Sequence, residues 1–142
     1  MRLALVVAAI ASALGQPGSQ PFTGRWAADH HGRPIVRLDL RMNGDALRGW
    51  IQLADLHLDA QGEVETVLSE LPQAATLLDV TTRGQTVAFS RRDGNDIDHF
   101  EMSVIDDRTA ELRFPASDAE RRQLADDGIP LPRPIRLTRV SP

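Results

Sequence analysis

The sequence predicts an all-β protein: an antiparallel up-and-down meander carrying one or two short helices. Three observations carry that prediction. From Pro21 onward apolar residues recur with period two, the signature of a strand with one buried face. Short glycine-containing dipeptides punctuate the pattern at Asn43-Gly44, Arg83-Gly84 and Gly94-Asn95, where tight hairpins need backbone that only Gly or Asn adopts cheaply. Folding the strands about those turns returns the same inward face each time, which a wrong register would scramble.

The chain has 142 residues, the length of one domain. Its start reads as a secretory signal peptide over 1–15. Arg2 is the positive end, 3–14 is an Ala-rich apolar run of about a dozen residues, too short to cross a bilayer, and small residues follow. A linker over 16–21 and one domain over 22–142 complete the expected organisation, and the product is exported to the periplasm or beyond. There is no Cys, which excludes disulfides, thiolate metal sites and a lipidated Cys anchor. Removing Arg2 from the 16 basic residues leaves 15 against 20 acidic ones, a net charge of −5. That balance argues against nucleic acid as a partner. No polybasic run or basic amphipathic helix points to a membrane surface, and no membrane span is expected.

The elements follow in order. The first strand is 22–29. In the hairpin 34–53, centring the turn on Asn43 and Gly44 pairs Val36 with Ile51, Leu38 with Gly49 and Leu40 with Leu47. On the other face it sets Asp39 against Arg48 and Arg37 against Trp50. Parity then breaks at Leu56 and Leu58, so a bulge, corner or new strand must intervene. Val64, Val67, Leu68 and Leu71 fall at i, i+3, i+4 and i+7, which predicts a short helix over 63–71 ended by Pro72. A turn at Arg83 and Gly84 pairs Val80 with Val87 and Leu78 with Phe89. A turn at Gly94 and Asn95 pairs Phe89 with Phe100, Val87 with Met102, Ser90 with His99 and Arg91 with Asp98. A loop at 106–108 pairs Met102 with Leu112, Phe100 with Phe114 and Glu101 with Arg113. Ser117 and Glu120 form a capping box, and Gly128 with the following prolines ends that helix, predicted over 118–126. A last strand covers 134–140.

Three residues in this pattern carry a resemblance. Gly24-x-Trp26 lies on the first strand and Arg139 on the last. That combination resembles the calycin superfamily, and in particular small bacterial extracytoplasmic lipocalin-like domains. The resemblance implies that the meander closes into a barrel of about eight strands. It also implies that Trp26 plugs one end with Arg139 packed over it, a cation–π contact. The chain is shorter than most lipocalins, lacks their disulfide, and places its helices elsewhere.

Most of the remaining polar groups point to turns rather than chemistry. An EF-hand frame beginning at Asp93 puts Ile97, Asp98 and Val104 where a ligand, a Gly and a bidentate Glu are needed, so it fails. Asp93, Asn95 and Asp96 are hairpin-tip residues. No catalytic or metal site is expected, and no cofactor. Sequence reasoning favours a non-enzymatic barrel that binds a small apolar or amphipathic molecule in its interior. Its inner face would comprise Leu38, Leu40, Ile51, Leu78, Phe89, Phe100, Met102 and Phe114, with Arg91 and Asp98 facing inward at one mouth to orient a polar head. The alternative is a filled barrel that meets a protein partner, or inhibits one, through its outer face at Trp50 and the segment 54–74. A third reading, an enzyme at a mouth, requires at least two of His57, His99, Asp98 and Arg91 to converge.

Overall fold

The computed structural model describes residues 20–140. The expected leader over 1–15 and residues 16–19 of the linker lie outside those residues. A 3-10 turn, Gln20–Phe22, leads into eleven strands and one helix. The strands are β1 (Gly24–His30), β2 (Arg33–Asn43), β3 (Ala46–Leu53), β4 (Leu56–Leu58), β5 (Val64–Val67), β6 (Ala75–Thr76), β7 (Leu78–Arg83), β8 (Thr86–Asp93), β9 (Asp96–Asp106), β10 (Thr109–Arg113) and β11 (Ile135–Val140). The helix α1 (Asp118–Asp126) lies between β10 and β11.

Nine strands form one sheet in the order β6-β3-β2-β1-β11-β10-β9-β8-β7, with every neighbour antiparallel. The two ends of that order are adjacent in the chain, because only Leu77 separates β6 from β7. The first residues of 75–83 therefore pair with β3, helped by a bond from the Leu77 N–H to the Gly49 carbonyl at 3.0 Å, and the rest pair with β8. The sheet curls into a nearly closed barrel, compatible with a lipocalin-like fold. It has nine strands rather than the expected eight. The segment kinks at Asp79 (φ +50°) as it passes from one neighbour to the other, and its register with β8 slips there.

The turns explain which registers the sequence predicted and which it missed. The hairpins β2–β3, β7–β8 and β8–β9 place Gly first in a two-residue turn, at Gly44, Gly84 and Gly94, with φ between +60° and +66°, whereas the β1–β2 turn, His31-Gly32, has φ +49° and +81° and places Gly second. The second position, Asp45, Gln85 or Asn95, has no positive φ. This is the geometry of a type II′ turn, whose first central residue is Gly, rather than the type I′ turn that Asn43-Gly44 suggested. The β8–β9 pairing is as expected, because Gly94 was already placed first. The β2–β3 turn moves one residue along, so Val36 faces Leu53, Leu38 faces Ile51, Leu40 faces Gly49 and Met42 faces Leu47. Arg37 now meets Gln52, Asp39 meets Trp50, and Arg41 meets Arg48. The β7–β8 turn moves likewise, so Thr82 faces Val87; beyond the slip at Asp79, Leu78 faces Ser90, one residue from the expected Phe89. A register slip of two preserves the face of every side chain, which is why the inward set in β2 and β3 survives the corrected pairing. Beyond these, Met102 faces Leu112 and Glu101 faces Arg113 as expected.

The predicted helix over 63–71 is not formed. Val64–Val67 is a strand that pairs back on Leu56–Leu58, with His57 opposite Thr66. Three of its four residues are β-branched, and these side chains pack better on a pleated surface than in a helix. The loss of parity at Leu56 is therefore the start of a separate two-stranded hairpin. The helix predicted over 118–126 is present, with both bonds of the Ser117–Glu120 capping box.

Candidate functional site

The strands run so that the two barrel ends differ in construction. At the base the links are the tight turns at 44–45 and 84–85 and the short loop after β9. There Trp26 is fully buried and donates its indole N–H to the Phe22 carbonyl at 3.0 Å. Arg139, its cross-strand partner, lies over the ring at 4.2 Å. The guanidinium also donates to the carbonyls of Pro21 (2.8 Å), Asp107 (2.7 Å) and Thr23. One side chain thus ties the segment before β1 and the β9–β10 loop to the last strand.

At the opposite end, the mouth, two long excursions leave the barrel: the β4–β5 hairpin and the segment 114–134. They meet at Gly62. Its carbonyl accepts the Arg133 N–H at 3.0 Å, and a Cβ in its place would sit 2.0 Å from the Leu131 carbonyl oxygen. Gly62 also has φ +84°, so no other residue fits this contact without displacing backbone. Arg133 adds an ion pair to Glu63 at 3.3 Å. Asp59 orders the hairpin tip by accepting the N–H groups of Gln61 and Glu63. At its root the hairpin is held by the Ala54 N–H on the Ile35 carbonyl and by an Arg33 Nη on the Val67 carbonyl.

Between these two excursions and the start of β9 lies a pocket of about 400 Å³. Leu56, Leu58 and Val64 form its hairpin wall, Ile97 and Phe100 its barrel wall, and Phe114, Leu124 and Leu131 its third side. The polar groups reaching it are Arg91, Asp98, His99, Glu120, Arg133 and Asp55. Arg91 is the most enclosed of the cations, with its side chain 13% exposed. Its Nε donates to Asp98 at 3.1 Å, its guanidinium carbon lies 5.5 Å from the Phe100 ring centre, and its Nη2 is 3.9 Å from Asp93, too far for a hydrogen bond. The guanidinium is thus oriented through Nε, leaving Nη groups for another acceptor. Phe100 stacks on Phe89 at 5.6 Å and meets Phe114 edge-on at 5.9 Å, which fixes the ring beneath Arg91.

The predicted site residues divide between two places. Arg91, Asp98, Phe100 and Phe114 line the mouth pocket. Leu38, Leu40, Ile51, Phe89 and Met102 are buried in the packed core with Trp26, Phe22, Leu112 and Leu137. Leu78 is half-buried at the kink. Of the four groups that an enzymatic mouth would bring together, Arg91, Asp98 and His99 line one pocket, while His57 stands exposed on β4 beside Glu65 at 3.6 Å. His99 reaches the pocket from the outer face, where its Nδ1 and the Ser90 hydroxyl are 2.9 Å apart. Glu120 faces His99, and its carboxyl is held below the usual range, chiefly by the Ser117 N–H and hydroxyl, with a smaller contribution from His99. Sequence reasoning missed Glu120, Leu124, Leu131 and Arg133 as lining residues. The prolines at 130 and 132 marked the segment as irregular but not where it folds back.

Away from the mouth, Asp39 faces outward on β2 yet is buried, its side chain 3% exposed. Arg41, by hydrogen bond and charge, and then Arg25 hold its carboxyl below the usual range. The expected Asp39–Arg48 pair is replaced by this pairing with Arg41 and Arg25. Trp50, expected beside Arg37, lies half-buried across from Asp39. Among the described residues no group of three or more His, Asp or Glu is placed to hold a metal ion. No helix among them is long and apolar enough to cross a membrane.

Comparison of the chain with protein-family models, with curated proteins and with solved structures finds no match.

Proposed function

We propose that this chain is an exported, non-enzymatic barrel of the calycin type that binds a small amphipathic molecule at its mouth. The observation that carries the reading is the 400 Å³ pocket, whose apolar walls from three segments surround an Arg91 guanidinium already oriented by Asp98 and Phe100. Pockets of this size with apolar linings and a few fixed polar groups are the usual form of a small-molecule site. The interior below Phe100 is occupied by the protein's own side chains, so the ligand's apolar part would lie against Leu56, Leu58, Val64 and Leu131 rather than penetrate to Trp26. The strands supply a rigid floor, and the Gly62 contact holds the two upper walls in position.

The test is native mass spectrometry of the purified protein, followed by titration with an anilinonaphthalene sulfonate, a fluorescent probe with an apolar body and an anionic head. Added mass on the native protein, or saturable probe binding that Ile97→Trp blocks by filling the mouth, is the expected outcome. A protein that carries no added mass and binds the probe no differently from Ile97→Trp overturns the reading.

A further inference from the structure

The outer wall formed by β1, β2 and β3 carries an asymmetry of charge that the mouth pocket does not use. Those strands and their turns hold five Arg (25, 33, 37, 41 and 48) against three Asp (29, 39 and 45), in a chain whose net charge is −4. At the base end Arg25, Arg41 and Arg48 stand against Asp39 and Asp45. Arg41 and Arg48 are direct cross-strand partners, and like charges placed opposite one another destabilise a sheet. Arg41 shares the buried Asp39 with Arg25, both arginines remaining about two-thirds exposed, at 66% and 64%. Arg48 makes no ion pair among the described residues. Beside them Trp50 is half-buried. Arg and Trp are the side chains most often found to anchor protein contacts.

The segment that follows β3 has the opposite character. Residues 54–74 contain Asp55, Asp59, Glu63, Glu65 and Glu70 and no Arg or Lys. They rise from the mouth end of the same wall, tied to it through Ala54 and Arg33. Leu68, 62% exposed, stands among these acids. One side of the molecule is therefore positive at the base and negative at the mouth.

We infer that this wall is the contact face of an antiparallel homodimer, with a second copy of the chain as its occupant. A two-fold axis perpendicular to the barrel axis lays each acidic β4–β5 hairpin on the other copy's Arg25, Arg41 and Arg48. Both contacts are then complementary and the assembly closes, as an isologous interface must. Such an interface rests on charge at its edges and on Trp50 and Leu68 as its apolar components, so it is weakened by salt. The inference does not depend on the mouth pocket being a ligand site.

Sedimentation velocity of the full chain at low and at molar salt, over a range of concentrations, is the first measurement. The expected result is a dimer that dissociates as salt rises. Two variants then reverse the charges: Arg41→Glu with Arg48→Glu, and Glu65→Arg with Glu70→Arg. All four side chains are exposed, and circular dichroism checks that the fold is retained. Each variant alone presents like charges at both contacts and should dimerise at least ~10-fold more weakly. Mixed together they are complementary at both contacts and should form a heterodimer. A native chain that stays monomeric at low salt overturns the inference. So does a dimer indifferent to both reversals, or a mixture that fails to associate. A monomer that instead binds polyglutamate through Arg41 and Arg48 assigns the face to an acidic peptide and also overturns the second copy.

Discussion

The two ends of this barrel solve the same problem, closing a sheet that would otherwise open to water, by opposite means. The base uses short links and one clasp: tight turns bring strands together within a few residues, and Arg139 gathers the carbonyls of Pro21, Thr23 and Asp107 over a buried Trp26. The mouth uses long links, and its two walls meet at Gly62, beside the Arg133–Glu63 ion pair. A base built this way is part of the core and leaves little room for a ligand. The mouth is assembled from segments that each bury little on their own, and a pocket is left between them. The packed clasp and the open pocket thus lie at opposite ends of one sheet.

The largest expected effect tests whether the base is in fact continuous with the core. Trp26→Ala removes a fully buried ring and leaves Arg139 without the surface it stacks on. Truncations of this kind cost roughly 3–5 kcal/mol. Urea denaturation should show a single transition moved by that amount, with all strands lost together. A loss under about 1 kcal/mol, small for a buried aromatic, would mean that the base is a lid rather than part of the core.

Gly62→Ala tests the other end. A Cβ there both meets the Leu131 carbonyl and forces a side chain onto a backbone of φ +84°. The strain is on the order of 1–3 kcal/mol, and most of it can be relieved by lifting the hairpin from the 131–133 segment. Amide exchange in β4 and β5 should therefore accelerate, while the urea midpoint of the barrel moves far less than in Trp26→Ala. The fluorescent probe should bind more weakly, because two pocket walls separate. If the barrel midpoint falls as far as it does for Trp26→Ala, the two ends form one cooperative unit and the contrast between them fails.

The same contrast decides what could be read from the sequence. The base was legible because its determinants are local or periodic: alternating inward residues in β2, β8 and β9, a Gly at the turns 44–45 and 84–85, and a Trp and an Arg on strands whose parity could be checked. Two registers were displaced by two residues because Asn43-Gly44 and Arg83-Gly84 were assigned to turns whose Gly comes second. The chain uses Gly first at Gly44, Gly84 and Gly94 but second at His31-Gly32, a choice between turn types that the dipeptide alone does not make. Of the mouth, Arg91, Asp98, Phe100 and Phe114 were found, since they continue the strand pattern. Gly62, Leu131 and Arg133 were not, because their contacts join positions some seventy residues apart through backbone, and no side-chain period records that. The helix expected over 63–71 failed for a related reason. Val64, Val67, Leu68 and Leu71 fit a helical stripe by spacing, but the hairpin with Leu56–Leu58 satisfies the backbone of 64–67, and Leu68 is left in solvent.

Asp39→Asn distinguishes electrostatic support of the wall from the packing just described. The carboxylate is buried between two exposed arginines, and a hydrogen bond to a charged group contributes about 1.5–3 kcal/mol. Solvent around Arg25 and Arg41 reduces this, so a loss of about 1–2 kcal/mol at neutral pH is expected. The pH dependence fixes the cause. The carboxyl is held below its usual range in the folded chain, so its stabilisation is fully present above the unfolded value of about 3.9 and is lost as pH falls through the lower folded value. Stability curves of the two proteins should therefore converge on acidification. A difference that persists unchanged at low pH would mean that the amide disturbs packing rather than charge.

The smallest expected effect belongs to α1, which borders the pocket through Glu120 and Leu124 yet has no buried residue. Ser117→Ala removes the cap that accepts the Glu120 N–H at 3.1 Å. Loss of such a cap costs about 1 kcal/mol. Because the helix contributes nothing to the core, that loss should appear as fraying of Asp118–Asp126, in amide exchange and in the far-ultraviolet signal, and leave the urea midpoint of the barrel in place. Glu120 gives the wild-type helix its own acid limit. With its carboxyl held below the usual range by the Ser117 N–H and hydroxyl, its contribution is complete above about pH 4.3 and disappears as pH falls through the lower folded value. Removing the hydroxyl should shift that fraying to higher pH. A global midpoint that drops with Ser117→Ala would place α1 among the elements that hold the mouth together, beside Gly62 and the Arg133–Glu63 pair.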